Sequence, residues 1–490
     1  KKMIQKTKTI DVKAPVLCLC RNYKEMLAFG FTQAEQDFIQ KEVKANSKSF
    51  FSFLRTNDQT SIPYLLQLLP KEEPSCTKSE KIENIRLLAE ALLSYLNENK
   101  FTKCSIWDQW ETKEQSFAYL EALMLGAYRF DIYKTKVKYV GLQSIDLLSD
   151  RLQKKDLEQL EIITQMVYQV RNWVNEPVST LNAMQLAERA KHLAHDKGVK
   201  VQIWDKKEIR EHKMGGILGV NQGSVDEPSF TIMEWKPAKA CNKKPIVLVG
   251  KGVVFDSGGM NIKTGDYMND MKSDMAGAAV VANVICALAQ SKTPVHLIAL
   301  LPATDNRLNG NALVPGDIIY MHDHTSVEIV NTDAEGRLLL ADAISFAQEY
   351  KPELIISIAT LTGAASRAIG KQGIAAMQEH ADAYLPLFTQ TGLDIYERLC
   401  FFPMWKEYEE ALDSAVADIK NCGGGEAGMI TAAKFLAHFT TYPLIHLDIA
   451  GTAFLDKRDA YRGCGATASG ARLLYTYLQQ YANTKGAKNA

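Results

Sequence analysis

The chain lacks several signatures that would settle its class at once. Nine cysteines are scattered from Cys18 to Cys464, and no two stand at CxxC spacing. Neither a thiolate zinc site nor a disulfide framework is indicated, so reduced, mostly buried thiols in a cytoplasmic protein are expected. There is no HExxH and no GxSxG, and the nine histidines form no obvious ligand set. That removes the commonest mononuclear zinc hydrolases and the serine nucleophile elbow. Neither sign of charge predominates, with 57 Lys and Arg against 57 Asp and Glu, so nucleic acid is unsupported as a partner. The opening KKMIQKTKTI has no apolar signal-peptide core. The longest apolar run, AGAAVVANVICALA, has 14 residues and contains Asn283. It is too short and too polar for a bilayer, and no membrane association is expected.

What is present suits a large buried core. At 490 residues and 46% hydrophobic, the chain is too long for one compact unit. Strand-like APVLCLC, helical KIENIRLLAEALLSYLNENK and strand-like VKYVGL near Leu142 predict a smaller N-terminal α/β domain over 1–150. In KDLEQLEIITQMVYQVRNWVNEP, Leu157, Leu160, Ile163, Val167, Val170 and Val174 repeat at helical spacing until Pro177. This predicts a connecting helix within 151–176. From 177 to 490, PIVLVG, PVHLIALL, VEIV and ELIISIATL are apolar β-rich runs, several followed by amphipathic helices. The expected fold is α/β, with a larger C-terminal catalytic domain built on a mostly parallel, helix-covered central sheet.

In open α/β sheets ligands sit beyond the carboxyl ends of the strands. Lys251 and Asp256 follow PIVLVG, with Lys263 beyond; Asp274 opens the long apolar helix; Asp333, Glu335 and Arg337 follow VEIV. Each acid alone could be a helix cap. Four carboxylates brought together would repel one another unless cations neutralised them. A carboxylate can bridge two metals, so four acids suffice for a pair of divalent ions, a geometry suited to hydrolysis. Oxygen ligation alone tolerates Mg²⁺ or Mn²⁺, whereas a nitrogen ligand from a deprotonated lysine would favour Zn²⁺.

GKGVVFDSGGMNIK, MKSDMAGAA and NTDAEGRLLLADA resemble the three signature segments of the leucyl aminopeptidase (cytosol aminopeptidase) family of dizinc metallopeptidases, peptidase family M17. IATLTGA, VADIKN and HLDIAGTA extend the resemblance from Pro177 to the C-terminus, and the N-terminal part matches only in type. The resemblance implies that Lys251, Asp256, Asp274 and Glu335 hold the tighter ion and Asp256, Asp333 and Glu335 the exchangeable one. It implies Lys263 and Arg337 as the catalytic pair, with Arg337 holding a bicarbonate base. Zn²⁺ is the expected metal, with Mn²⁺ or Mg²⁺ as alternatives at the exchangeable site. Met271, Asn331, Ala334, Thr360, Leu361, Gly363, Ala450 and Ala453 would surround the first residue of a peptide substrate, and the Met and Ala walls favour an apolar side chain. The family also implies a homohexamer, a dimer of trimers. Some bacterial members bind DNA as well, but no basic stripe supports that here.

Two other patterns have plainer explanations. Gly423, Gly425 and Gly428 with Asp448 spell a dinucleotide fingerprint on paper, but SAVADIKN is a poor first strand for it. His322 and His324 are expected in a polar turn rather than on a metal.

Overall fold

The computed structural model describes residues 2–11, 13–22, 25–26, 29–56, 61–70 and 74–489, without the side chains of residues 56 and 487–489. The chain divides into two compact units, Lys1–Gln165 with Arg458–Gly463, and Met166–Lys457 with Cys464–Ala490. The boundary falls inside the helix Lys154–Asn175.

The first unit carries a six-stranded sheet in the order Ile4–Lys6, Ser144–Ser149, Lys103–Asp108, Val16–Cys20, Ser61–Leu68, Phe50–Thr56. All neighbours are parallel except the last pair. Thr32, Thr77 and Thr112 each start a helix with a capping box, closed by Glu35, Glu80 and Gln115. Such a cap stabilises a helix by about 1 kcal/mol. VKYVGL is not a strand. Val137 and Val140 are exposed, Gly141 turns the backbone at φ +77°, and the extended segment is the following Ser144–Ser149. Alternation of Val and Tyr with Lys imitated a half-buried strand where no neighbour pairs.

The second unit is built on a sheet in the order Leu399–Phe401, Ile374–Glu379, Leu444–Asp448, Leu354–Ala359, Ile246–Gly250, Leu297–Asn306, Ser229–Trp235, Lys200–Trp204. Gly252–Asp256 adds to it beside Leu297–Asn306. The four middle strands are mutually parallel, and antiparallel neighbours flank them on both sides. Val247, Val249, Ile298 and Leu300 share one buried cluster with Leu338, Leu339 and Ile344 of the helix Gly336–Ala347. Their alternates Ile246, Leu248, Leu297 and Ala299 are equally buried on the other face, where the helix Ala276–Gln290 packs against the same strands. Burial on both faces explains why these strands read as continuous apolar runs. The segment Met271–Gln290 is long and apolar enough to cross a membrane by length and composition, but it is 94% buried within the unit, as a core helix is.

VEIV does not join this sheet. Its strand, Ser326–Glu328, lies between Ile318–Tyr320 and Ile419–Lys420 in a separate three-stranded sheet. His322 and His324 occupy the turn before it. Of the nine free cysteines, four are fully buried (Cys18, Cys20, Cys104 and Cys286), fewer than the composition suggested.

Candidate metal centre

Four acids and two lysines singled out in sequence converge beside the carboxyl ends of the parallel strands. Lys251 lies between Ile246–Gly250 and Gly252–Asp256, and its Nζ sits 2.7 Å from Asp274 Oδ2, 3.0 Å from Glu335 Oε1 and 3.1 Å from the Thr360 carbonyl. Thr360 Oγ1 donates to Asp274 Oδ1 at 2.8 Å. Lys263 Nζ sits 2.7 Å from Asp256 Oδ2 and 2.6 Å from Asp333 Oδ1. Asp256, Asp333 and Glu335 each offer an oxygen within 4.8 Å of the other two. Lys251, Asp256, Asp274 and Glu335 are nearly solvent-free.

The helix-cap explanation fails on geometry. Glu335 stands at the N-cap of Gly336–Ala347 and Met275 at that of Ala276–Gln290, and neither helix has a side-chain cap bond. The acids turn to the lysines instead. Two glycines make room for this. A Cβ on Gly336 would lie 2.2 Å from Lys251 Cε, and one on Gly277 would lie 2.0 Å from the Ile358 carbonyl oxygen.

The electrostatics show an excess of acid. Burial, then repulsion from Glu335, pushes the Asp256 carboxyl up to about 6. Burial raises Asp274 well above the usual carboxylate range, and burial with Glu335 raises Asp333. Glu335 goes the other way, because Lys251 and Lys263 outweigh its burial. Burial would lower both lysines, but the surrounding carboxylates hold them above their ordinary range. Carboxylates that resist ionisation because they crowd one another are a donor set that fits divalent ions.

Arg337 stands apart from the acids. It is buried, its Nη1 donates to the Asn421 carbonyl at 2.8 Å, and its Nε has no hydrogen-bond partner among the described residues. Of the expected substrate-lining residues, Thr360 is bonded into the acid cluster. Leu361 and Ala450 both donate backbone N–H groups to Asp448 Oδ1, at 3.1 and 3.2 Å. Asn331 Oδ1 accepts from the Asp333 amide at 2.8 Å. Ala334 and Ala453 are buried, Met271 is half-buried, and Gly363 opens a helix.

Sequence reasoning missed Asn306, Thr332 and Asn421. Asn306 Nδ2 donates to Asp256 Oδ1 at 2.9 Å and to the Thr332 carbonyl at 3.0 Å. It ends the strand Leu297–Asn306, so the strand-end rule could have found it. Asp448 is no ribose ligand, since Leu361, Thr362 Oγ1 and Ala450 occupy its oxygens. The helix Gly428–His438 follows a strand of only two residues, Ile419–Lys420, so the glycine fingerprint lacks its supporting strand.

A buried acid cluster at the strand ends of a helix-covered α/β sheet defines a metal-dependent hydrolase. The profile of the cytosol aminopeptidase family, catalytic domain, matches residues 168–475. A probable cytosol aminopeptidase of Geobacter sulfurreducens is 42% identical over 366 residues, 73% of each chain. One of Chlorobaculum parvum is 39% identical over 433 residues, covering 82% of this chain and 84% of the relative. Among solved structures, the cytosol aminopeptidase of Coxiella burnetii superposes with TM-score 0.80 at 28% identity, over 97% of this chain and 99% of that one. A bottromycin maturation enzyme in complex with Mn gives TM-score 0.83 at 27% identity, over 96% and 100%. The chain belongs to the cytosol aminopeptidase family. It is a leucyl aminopeptidase-type, metal-dependent hydrolase.

Proposed function

We propose that the protein removes apolar, Leu- or Met-like residues one at a time from the N-terminus of peptides, using two divalent ions. The observation that carries this is the convergence of Asp256, Asp333 and Glu335 within 4.8 Å, flanked by Lys251 and Lys263. Lys251, Asp256, Asp274 and Glu335 would hold one ion, and Asp256, Asp333 and Glu335 the second. Zn²⁺ is the choice a nitrogen ligand favours, with Mn²⁺ or Mg²⁺ tolerated on the all-oxygen side. When bound, such a pair polarises the scissile carbonyl and lowers the pKa of a shared water toward neutrality.

The chain's own residues supply the rest. Lys251 is held protonated by the carboxylates around it, and it can ligate only where bound cations neutralise those carboxylates. Lys263 stays protonated for the same electrostatic reason and donates to the developing oxyanion, a role worth roughly 3 to 4 kcal/mol where single donors have been deleted. Arginine cannot act as a base. Arg337 instead offers a planar fork with a buried Nε that has no partner among the described residues, the shape that anchors a carboxylate-like anion such as bicarbonate, which would carry the proton. A free substrate α-amine in contact with the second ion would confine cleavage to the N-terminal residue. The walls discriminate loosely, because one methylene is worth only about 10 to 200-fold in an apolar pocket.

Rates on leucine p-nitroanilide and its N-acetylated form test the reading. The free amine should be cleaved and the acetylated one spared, and comparable rates on both would sink it. A cytosolic location and a homohexamer built as a dimer of trimers complete the proposal. Sedimentation showing a stable monomer at micromolar concentration would contradict the assembly.

A further inference from the structure

The guanidinium of Arg337 makes one hydrogen bond among the described residues, and its acceptor is a main-chain carbonyl, that of Asn421. An arginine side chain carries about 2 kcal/mol of rotamer entropy, so its placement depends on what holds that carbonyl. Asn421 is itself fully buried, and every polar atom of its side chain is engaged. Its Oδ1 accepts from the Val330 amide at 2.9 Å and the Asn331 amide at 3.3 Å. Its Nδ2 donates to the Asn331 carbonyl at 2.7 Å and the Ala334 carbonyl at 3.4 Å. Its own amide donates to the Glu328 carbonyl at 2.9 Å.

Residues 330–334 are the loop that delivers Asp333 and Glu335 to the acid cluster. One side chain therefore grips both strands of the loop bearing the acids, while the same residue's carbonyl grips the arginine. We infer that Asn421 is a positioning residue, which sets Arg337 in register with the acid loop. The inference rests on the role proposed for Arg337. No substitution at 421 removes the carbonyl. What it removes is the side-chain grip that fixes where the carbonyl lies.

A double-mutant cycle tests this, with kcat and KM for leucine p-nitroanilide, bound metal and thermal melting read on each enzyme. Asn421→Ala should lower kcat by about 10 to 100-fold, the scale of outer-shell partners, with KM within about threefold and metal content like the parent's. Added to Arg337→Ala it should cost less than about threefold more, because its effect passes through the arginine. A residue that only stabilises the fold would move the melting temperature and leave kcat alone. Asp418→Ala is the comparison expected to behave that way. Asp418 is exposed and braces the same strand pair, accepting from the Ser326 amide at 2.8 Å and from Ser326 Oγ at 2.7 Å. It should lower the melting temperature without changing kcat.

Asn421→Ser, which keeps a short polar group, covers the case in which the alanine variant does not fold. Parental kcat in Asn421→Ala, an equal loss in both backgrounds, or absence of folded protein from both 421 variants would overturn the inference. Parental activity in Arg337→Ala alone would refute the proposed role of the arginine and take this inference with it. That outcome is distinguishable, since it is read before residue 421 is changed.

Discussion

Each unit buries a cluster of charges, and the two clusters balance differently. In the first unit Arg86 lies 3.3 Å from Glu83 and 3.2 Å from Glu121, while Arg462 and the Tyr461 hydroxyl close on Glu83. Two guanidinium groups meet Glu83, Glu121 and the half-exposed Asp459 there, so the cluster is close to neutral. In the second unit Asp256, Asp274, Asp333 and Glu335 are paired, among the described residues, with Lys251 and Lys263 alone, four negative charges against two positive. A nearly balanced cluster is complete as folded. An acid-rich one is complete only with cations from outside. Burial of charge alone therefore says little about function, and the imbalance is the informative quantity.

The largest effect should come from reducing the imbalance at its centre. Glu335→Gln removes a charge between both proposed ions, so bound metal by elemental analysis should fall and kcat should drop by more than the roughly 10 to 100-fold typical of an outer-shell partner. Retention of both metals with full activity would return the first-turn acids to an ordinary structural role. Arg337→Ala should keep fold and metals while kcat falls by about 10² to 10⁴. Metal loss in that variant would show that the arginine belongs to the acid cluster after all.

The nearly balanced cluster should respond in stability rather than in rate. Arg86→Met strands buried carboxylates and should cost about 3 to 5 kcal/mol in denaturant unfolding, with kcat of the folded enzyme unchanged. An equal loss of kcat would erase the contrast between the clusters. The smallest effect concerns a third solution to a buried acid. Asp342, on the helix Gly336–Ala347, accepts from the Ile217 and His322 amides at 2.9 and 3.0 Å, and burial pushes its carboxyl up to about 7. Its folded form holds a proton that the unfolded chain releases near pH 4. The stability it contributes is thus full below about pH 4 and lost as pH rises through about 7. Melting curves across that window should fall less steeply for Asp342→Asn than for the parent. Parallel slopes would mean that Asp342 is ionised throughout.

The strand-end reading picked out the four acids and two lysines that the fold brings together, because each is a charge stranded between apolar segments. Asn306 lay within reach of the same rule as the last residue of Leu297–Asn306 but carries no charge to mark it, and Asn421 was not legible, since a carboxamide is ordinary in any loop and only tertiary placement makes it a bracket. VKYVGL failed for the converse reason: local alternation resembles a strand whether or not a neighbour is there to pair. VEIV is extended, but nothing within four residues says which sheet receives it. The recruitment of Arg458–Gly463 into the first unit is a long-range event, settled by contacts such as Arg458 with Glu90, and no local pattern announces it.

Gly336 writes its contribution in what it omits. The Lys251 side chain runs through the space that any Cβ at 336 would occupy, 2.2 Å from Lys251 Cε. On the proposed ligand set, that lysine is the sole nitrogen among oxygens, and nitrogen is what tips such a set from hard cations toward zinc. The identity of the metal would then be controlled from a position that touches no metal and bears no functional group. On that proposal, a methyl group there would press on Lys251 and move the preference away from zinc toward harder cations.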